Sequence, residues 1–381
     1  MTARAAALTA NLDADDARSF RHLPGLDGLR AVAVLLVVLF HYGHLWETRG
    51  ADGVTDAGVF PGGLIGVDVF FVLSGFLITS ILVAERAKTG RVSFVRFYAR
   101  RAARLLPALV LLLIGFSLWA HHEGARWSVI WKPVAATFFY VSNLAQVYFL
   151  KSMIFSGLNF TWSLAIEEQF YLVWPALLVY GVLRFAKTRN AVVITILGIA
   201  AFSAFIRFYE WNWGAGYPAV YMRLDARADG LLIGAACAFL WRWRMVPTKW
   251  LNEAALVSLV GLTAFTFLWN STSGGLFQGG FTLVSLAVGV IILALAENKF
   301  QLLPAFEWGP MRAVGRVSYG VYLWHGLALR IAATELADRG EFIIGAAGLA
   351  LTATVVTLSW FLVEQPFLRL KDRYFASPVA T

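Results

Sequence analysis

Residues 85–120 read ERAKTGRVSFVRFYARRAARLLPALVLLLIGFSLWA. Seven cations, Arg86, Lys88, Arg91, Arg96, Arg100, Arg101 and Arg104, stand ahead of Pro107, and an apolar run without charge follows. A helix crossing the ~30 Å hydrocarbon layer needs about 20 mostly apolar residues, and Lys and Arg collect on its cytoplasmic side. The stretch therefore sets an orientation, with the basic segment inside and the apolar run leading out. Composition agrees: 59% of the 381 residues are apolar and only 14% charged, at a mean hydropathy of +0.67. A soluble domain carries roughly a quarter charged residues. Disorder, a coiled coil and a cytosolic globule are excluded.

Outward from that anchor, apolar spans are expected near 29–45, 64–84, 103–120, 163–183, 191–207, 227–242, 251–269, 278–296, 318–336 and 342–364. The stretch 132–149 is also apolar but carries Ser142, Asn143 and Gln146, each unfavourable against lipid without a partner. The connection with Arg184, Lys187 and Arg189 reads as cytoplasmic, so an even number of crossings must separate it from 85–104. Spans 103–120 and 163–183 supply two, and 132–149 is expected to stay outside as a non-crossing aromatic segment. The fold class is thus an all-α integral membrane bundle of about ten transmembrane helices with both termini cytoplasmic. With this threading 23 of the 32 Lys and Arg lie inside, and the net charge of +9 needs no nucleic acid to explain it. Residues 1–22 have no signal-peptide core and read as a polar cytoplasmic tail, 23–366 as the membrane domain, and 367–381 as a basic tail. The single cysteine, Cys237, rules out an internal disulfide framework and a multi-Cys metal site; no metal is expected.

Ionisable groups inside apolar sequence are functional candidates. His41 lies near the outer end of the first span and Arg30 opens it, eleven residues earlier. Eleven residues are close to three turns, so both share a face, roughly 16 Å apart along the axis. A structural account stands beside this one, with Arg30 as an interfacial anchor and His41 bonded within the bundle. In FTWSLAIEEQFYLVWP (160–175) Glu167 and Glu168 enter an aromatic run, and their 100° divergence lets one face the interior, where a carboxylate could orient an imidazole. An interfacial cap or a pair with Arg227 is the plainer account. Ser163 and Tyr171 of the same stretch are secondary candidates. Arg101 and Arg104 share a helix face at the cytoplasmic surface and suit the phosphates of a nucleotide-bearing donor, or serve as anchors. Arg223, Asp225, Arg227 and Asp229 read most simply as a structural ion-pair set. His325, in SYGVYLWHG, fits packing as well as chemistry. Asp68 and Ser74 sit in a glycine-spaced helix suited to close packing.

GLDGLRAVAVLLVVLFHYG, GVDVFFVLSGFLIT, FYARRAARLLPA, TWSLAIEEQFYLVWP, RADGLLIGA, SYGVYLWHG and VEQPFLR occur in that order, and together they resemble the acyltransferase-3 family over about residues 23–370. These are multi-pass bacterial plasma-membrane O-acyltransferases. The resemblance implies that His41 is catalytic and Arg30 required, as the family's Arg-x10-His pair. It implies that Arg101 and Arg104, as its Arg-x-x-Arg pair, serve an acyl-CoA donor, and that Glu167 or Glu168 contributes. No bound cofactor is implied. The expected reaction moves an acyl group, acetyl first, from cytoplasmic acyl-CoA to a hydroxyl of an envelope glycan, a glycolipid or a secreted macrolide-type small molecule. His41 would act as general base or as transient acyl carrier, with Glu168 orienting it or sharing its charge and Arg30 stabilising charge on the donor or on the tetrahedral oxyanion. Many relatives carry a fused periplasmic hydrolase-like domain, and the stand-alone form is expected here. The rival reading is a proton-linked transporter using His41, Glu168, Arg227 and Asp229 as a relay.

Overall fold

The structure, a computed structural model, describes residues 22–43, 45, 60–149, 157–217, 219–269 and 273–374. Nearly all of the expected N-terminal tail lies outside them. Every regular element among the described residues is helical. The first is α1, Pro24–Gly43, and a 3-10 turn at Pro61–Ile65 leads into α2, Gly66–Thr89. Then follow α3, Phe94–His122, the short α4, Trp127–Phe138, and α5, Trp162–Ala176, which widens through Leu177–Val182. Next come α6, Arg189–Trp213, α7, Leu224–Arg242, α8, Leu251–Leu268, and α9, Phe281–Ala296. An amphipathic α10, Gly309–Arg316, precedes α11, Ser318–Glu335, and α12, Glu341–Ser359, which runs through a wider turn into α13, Gln365–Tyr374.

Seven stretches are long and apolar enough to cross a membrane: Pro24–Gly43, Pro61–Thr89, Phe94–His122, Arg189–Trp213, Leu251–Leu268, Leu276–Ala296 and Glu341–Lys371. Three expected spans fall instead on α5, α7 and α11, which are not among the seven. Their deficit has a visible cause, since they carry Glu167 and Glu168, Arg227 and Asp229, and His325. A helix turned into the bundle can hold such groups because protein, not lipid, surrounds them. The chain is a multi-pass membrane protein.

The basic connection is built locally. Gly90, at φ 72°, ends α2 by donating its N–H to the Arg86 carbonyl. Ser93 caps α3, its hydroxyl accepting from the Arg96 N–H. Beneath them Glu85, 1% exposed, accepts from the Ser93 N–H and from Arg100. Deeper in, α2 and α7 cross backbone to backbone. A Cβ on Gly75 would strike the Leu231 carbonyl, and one on Gly234 the Val72 carbonyl. That pairing makes α2 and α7 the packed centre of the bundle.

The stretch 132–149 is broken at Phe139–Val141. Its 12-residue α4 spans about 18 Å, short of a crossing. Ser142, Asn143 and Gln146 are buried and draw partners from the protein: Ser142 donates to the Thr161 carbonyl, Asn143 exchanges hydrogen bonds with Gln169, and the Gln146 amide N–H donates to the Asn159 carbonyl.

Candidate active site

His41 ends α1 inside a cavity of about 230 Å³ whose wall includes Gln146, Phe160, Trp162, Tyr217, Tyr221 and Tyr322. Across from it on α11 is His325, fully buried, with its Nε2 3.3 Å from His41 Nδ1. The protons can be assigned from the partners. His325 Nδ1 lies 2.7 Å from the Tyr322 carbonyl, which only accepts, so this nitrogen donates and His325 Nε2 accepts. His41 Nδ1 lies 2.9 Å from the Val37 carbonyl and therefore carries a hydrogen shared between Val37 and His325. The neutral ring keeps its basic lone pair on Nε2. Tyr322 donates to the Phe160 carbonyl at 3.0 Å and accepts from Ser163 at 2.5 Å, which fixes the turn that holds His325.

Glu168 therefore is not what holds His41. Its carboxylate is taken by Arg101, whose Nε reaches it at 2.8 and 3.1 Å and whose Nη2 at 2.7 Å. The same guanidinium lies 3.3 Å over the Tyr171 ring. Tyr171 and Ser74 both donate to Glu167, each at 3.1 Å. Both carboxylates thus face protein, contrary to the expectation that one would. The reason is that partners flank α5 on two sides, Ser74 from α2 and Arg101 from α3.

Arg30 and Arg104 differ from Arg101. Neither has a hydrogen bond or ion pair among the described residues, and they lie close enough to repel each other. Arg30 also feels Asp27 and Glu167. Two guanidiniums this near each other, neither in an ion pair among the described residues, suit an anionic ligand. Of the expected pair, then, Arg104 is open and Arg101 is committed.

The set at 223–229 is paired within the protein. Arg227 donates to Asp68 at 2.8 Å and lies 3.6 Å over Phe281. Asp229 receives both arms of Arg207, at 2.7 and 2.9 Å, and a bond from Thr282. Arg223 pairs with Asp225 and Glu210. Arg227 and Asp229 are taken up by Asp68 and Arg207 rather than by His41 or Glu168. Arg207 closes the expected span 191–207, where nothing in the sequence points to Asp229 as its partner, and Tyr322 carries no signal beyond an aromatic residue in an apolar run.

The acyltransferase domain of the acyltransferase-3 family matches residues 23–363. Among similar proteins are the peptidoglycan O-acetyltransferase OatA of Listeria monocytogenes, 33% identical over 91% of this chain and 56% of its own length, and a putative peptidoglycan O-acetyltransferase of Bacillus subtilis, 31% identical over 94% and 57%. A putative O-acetyltransferase of Staphylococcus aureus is 30% identical over 92% and 58%. This chain spans a little over half the length of these relatives. No solved structure matches it. Because the match runs from just before α1 to just past the end of α12, carrying both the histidine and the arginine pole, the chain belongs to the acyltransferase-3 family.

Proposed function

We propose that the protein is a membrane O-acetyltransferase that takes acetyl from acetyl-CoA at the Arg30–Arg104 pole and delivers it to a hydroxyl of a cell-envelope glycan at the His41 pole. The observation that carries this is His41 itself: an imidazole whose Nδ1 is fixed by the Val37 carbonyl and His325, in an aromatic cavity at one end of α1. Arg30 stands roughly 16 Å away along the same helix, a distance that favours holding the donor's phosphates over stabilising an oxyanion beside His41. Arg104 shares that task, while Arg101 and Glu168 brace the wall between the poles. In the transfer step His41 Nε2 takes the proton of the acceptor hydroxyl as its oxygen attacks the thioester carbonyl; the C–S bond then breaks and the CoA thiolate leaves, taking up a proton. His325 shares the positive charge that forms on His41. The cavity is smaller than a typical drug-sized site, which favours acetyl over a long acyl chain. The O-acetyltransferase descriptions of the relatives point the same way.

The reading includes a threading: ten crossings with both termini cytoplasmic, 132–149 outside, and residues 23–366 as the acyltransferase-3-like membrane domain. Donor at one face and acceptor at the other follow from it. The test is transfer of label from radiolabelled acetyl-CoA into the envelope glycan of membranes carrying the wild type, His41→Ala or Arg104→Ala. Label is expected with the wild type, none with His41→Ala, and with Arg104→Ala a loss recovered at high donor concentration. Transfer that survives His41→Ala would overturn the mechanism.

A further inference from the structure

One residue of the cavity wall keeps a polar atom that has no partner among the described residues. Gln146 is 1% exposed and lines the same cavity as His41, and its Oε1 accepts no hydrogen bond among the described residues. The other end of the amide fixes which atom this is. Nε2 donates to the Asn159 carbonyl at 3.0 Å, and turning the amide over would set two acceptors against each other. A buried acceptor left unmet is unfavourable, so the site is complete only when something there donates to it. The surrounding wall, Phe160, Trp162, Tyr217, Tyr221 and Tyr322, presents ring faces that suit the C–H face of a sugar.

We propose that Gln146 Oε1 reads the acceptor, taking a hydrogen bond from an O–H or N–H of the sugar ring whose reacting hydroxyl stands at His41. The inference rests on the acetyltransferase reading and adds what the site selects. A sugar with the donor completes the pair, whereas one lacking it leaves Oε1 buried and unpaired, the situation in which polar sites discriminate well. Gln146 is thus a specificity residue, and His41 chemistry does not depend on it.

The experiment uses the full chain in lipid nanodiscs with a panel of amino sugars and their single-position deoxy or N–H-free analogues. Transfer from acetyl-CoA is compared for wild type, Gln146→Met and Gln146→Glu. For one analogue the wild type should show an acceptor KM raised about tenfold, the size of one net hydrogen bond. That penalty should vanish in Gln146→Met and persist in Gln146→Glu, whose protonated carboxyl donates to the Asn159 carbonyl as the amide does and keeps the second oxygen as acceptor. Both variants should elute from size-exclusion chromatography as the wild type does, which shows that they are folded. If no analogue's penalty depends on Gln146 while the wild type transfers acetyl, the inference falls and the acetyltransferase reading stands. Calorimetric binding of the same sugars without acetyl-CoA reads the preference without turnover. A Gln146-dependent difference there, with no transfer by any form, would sink the acetyltransferase reading and keep the sugar site.

Discussion

At the scale of single residues, the contrast between neighbours of like type carries the chemistry. His41 and His325 form a dyad in which only one ring can be the base, because His325 spends Nδ1 on the Tyr322 carbonyl and turns Nε2 toward His41. His325→Gln is expected to lower kcat by about 10²-fold or more while leaving the acceptor KM in place, since orientation and shared charge are lost but the cavity wall is kept. A KM effect alone would refute that role. The arginines separate in the same way. Arg104→Ala should raise the KM for acetyl-CoA without lowering the thermal midpoint, because no hydrogen bond or ion pair among the described residues depends on it. Arg101→Ala should lower the midpoint, since it strips Glu168 of its bidentate partner and leaves a half-buried carboxylate uncompensated, a change that costs about 3–5 kcal/mol at fully buried pairs. Thermal unfolding in detergent alongside donor kinetics distinguishes the two, and equal behaviour of both variants would contradict the division of labour.

Among elements, the crossing of α2 and α7 is the tightest constraint. Gly234→Leu drives a side chain into the Val72 carbonyl and Gly75→Leu one into the Leu231 carbonyl. Each should destabilise the bundle by at least the 1–3 kcal/mol of ordinary overpacking, seen as aggregation on size-exclusion chromatography. Gly198→Leu and Gly261→Leu, whose added Cβ atoms meet nothing within 4 Å, are the matched controls and should elute as wild type. The glycine spacing of α2 was readable before the fold was known, and so were the helices, since each of the ten expected spans falls on one. What hydropathy could not give was the helix across the interface. Residue spacing says which face a side chain takes but not who stands opposite. Glu168 meets Arg101, 67 residues back, and His41 meets His325, 284 residues on. The carboxylate beside the first span's histidine was therefore a reasonable expectation from type alone, and long-range packing replaced it with a second imidazole. Gln146 escaped for the same reason, because a polar residue in an apolar stretch reads as a liability until its cavity is known.

For the whole molecule, the question is whether the two poles of α1 open to opposite sides of the membrane, and it reduces to counting crossings. The basic turn at 85–93 and the turn at 123–126 bracket α3, which is long and apolar enough to cross, and the proposed threading sets residues 91 and 123 on opposite sides. Between residue 123 and Lys187 stand the broken stretch Trp127–Phe149 and then α5. If only α5 crosses, Lys187 returns to the side of Arg91; if the broken stretch also crosses, it lies with Glu123. A single native cysteine, buried at Cys237, makes this easy to read. In a Cys237→Ala background, Arg91→Cys, Glu123→Cys, Lys187→Cys and Arg339→Cys each put one thiol at an exposed position. A membrane-impermeant maleimide applied to spheroplasts should label positions 123 and 339, and reach 91 and 187 only after permeabilisation. Labelling of 187 from outside would mean that Trp127–Phe149 crosses. The inner and outer assignments of every later connection would then reverse, setting basic segments outside against the charge bias. His41 and Arg30 would keep their sides, because both lie ahead of the disputed stretch, so the result tests the threading without disturbing the direction in which acetyl must travel.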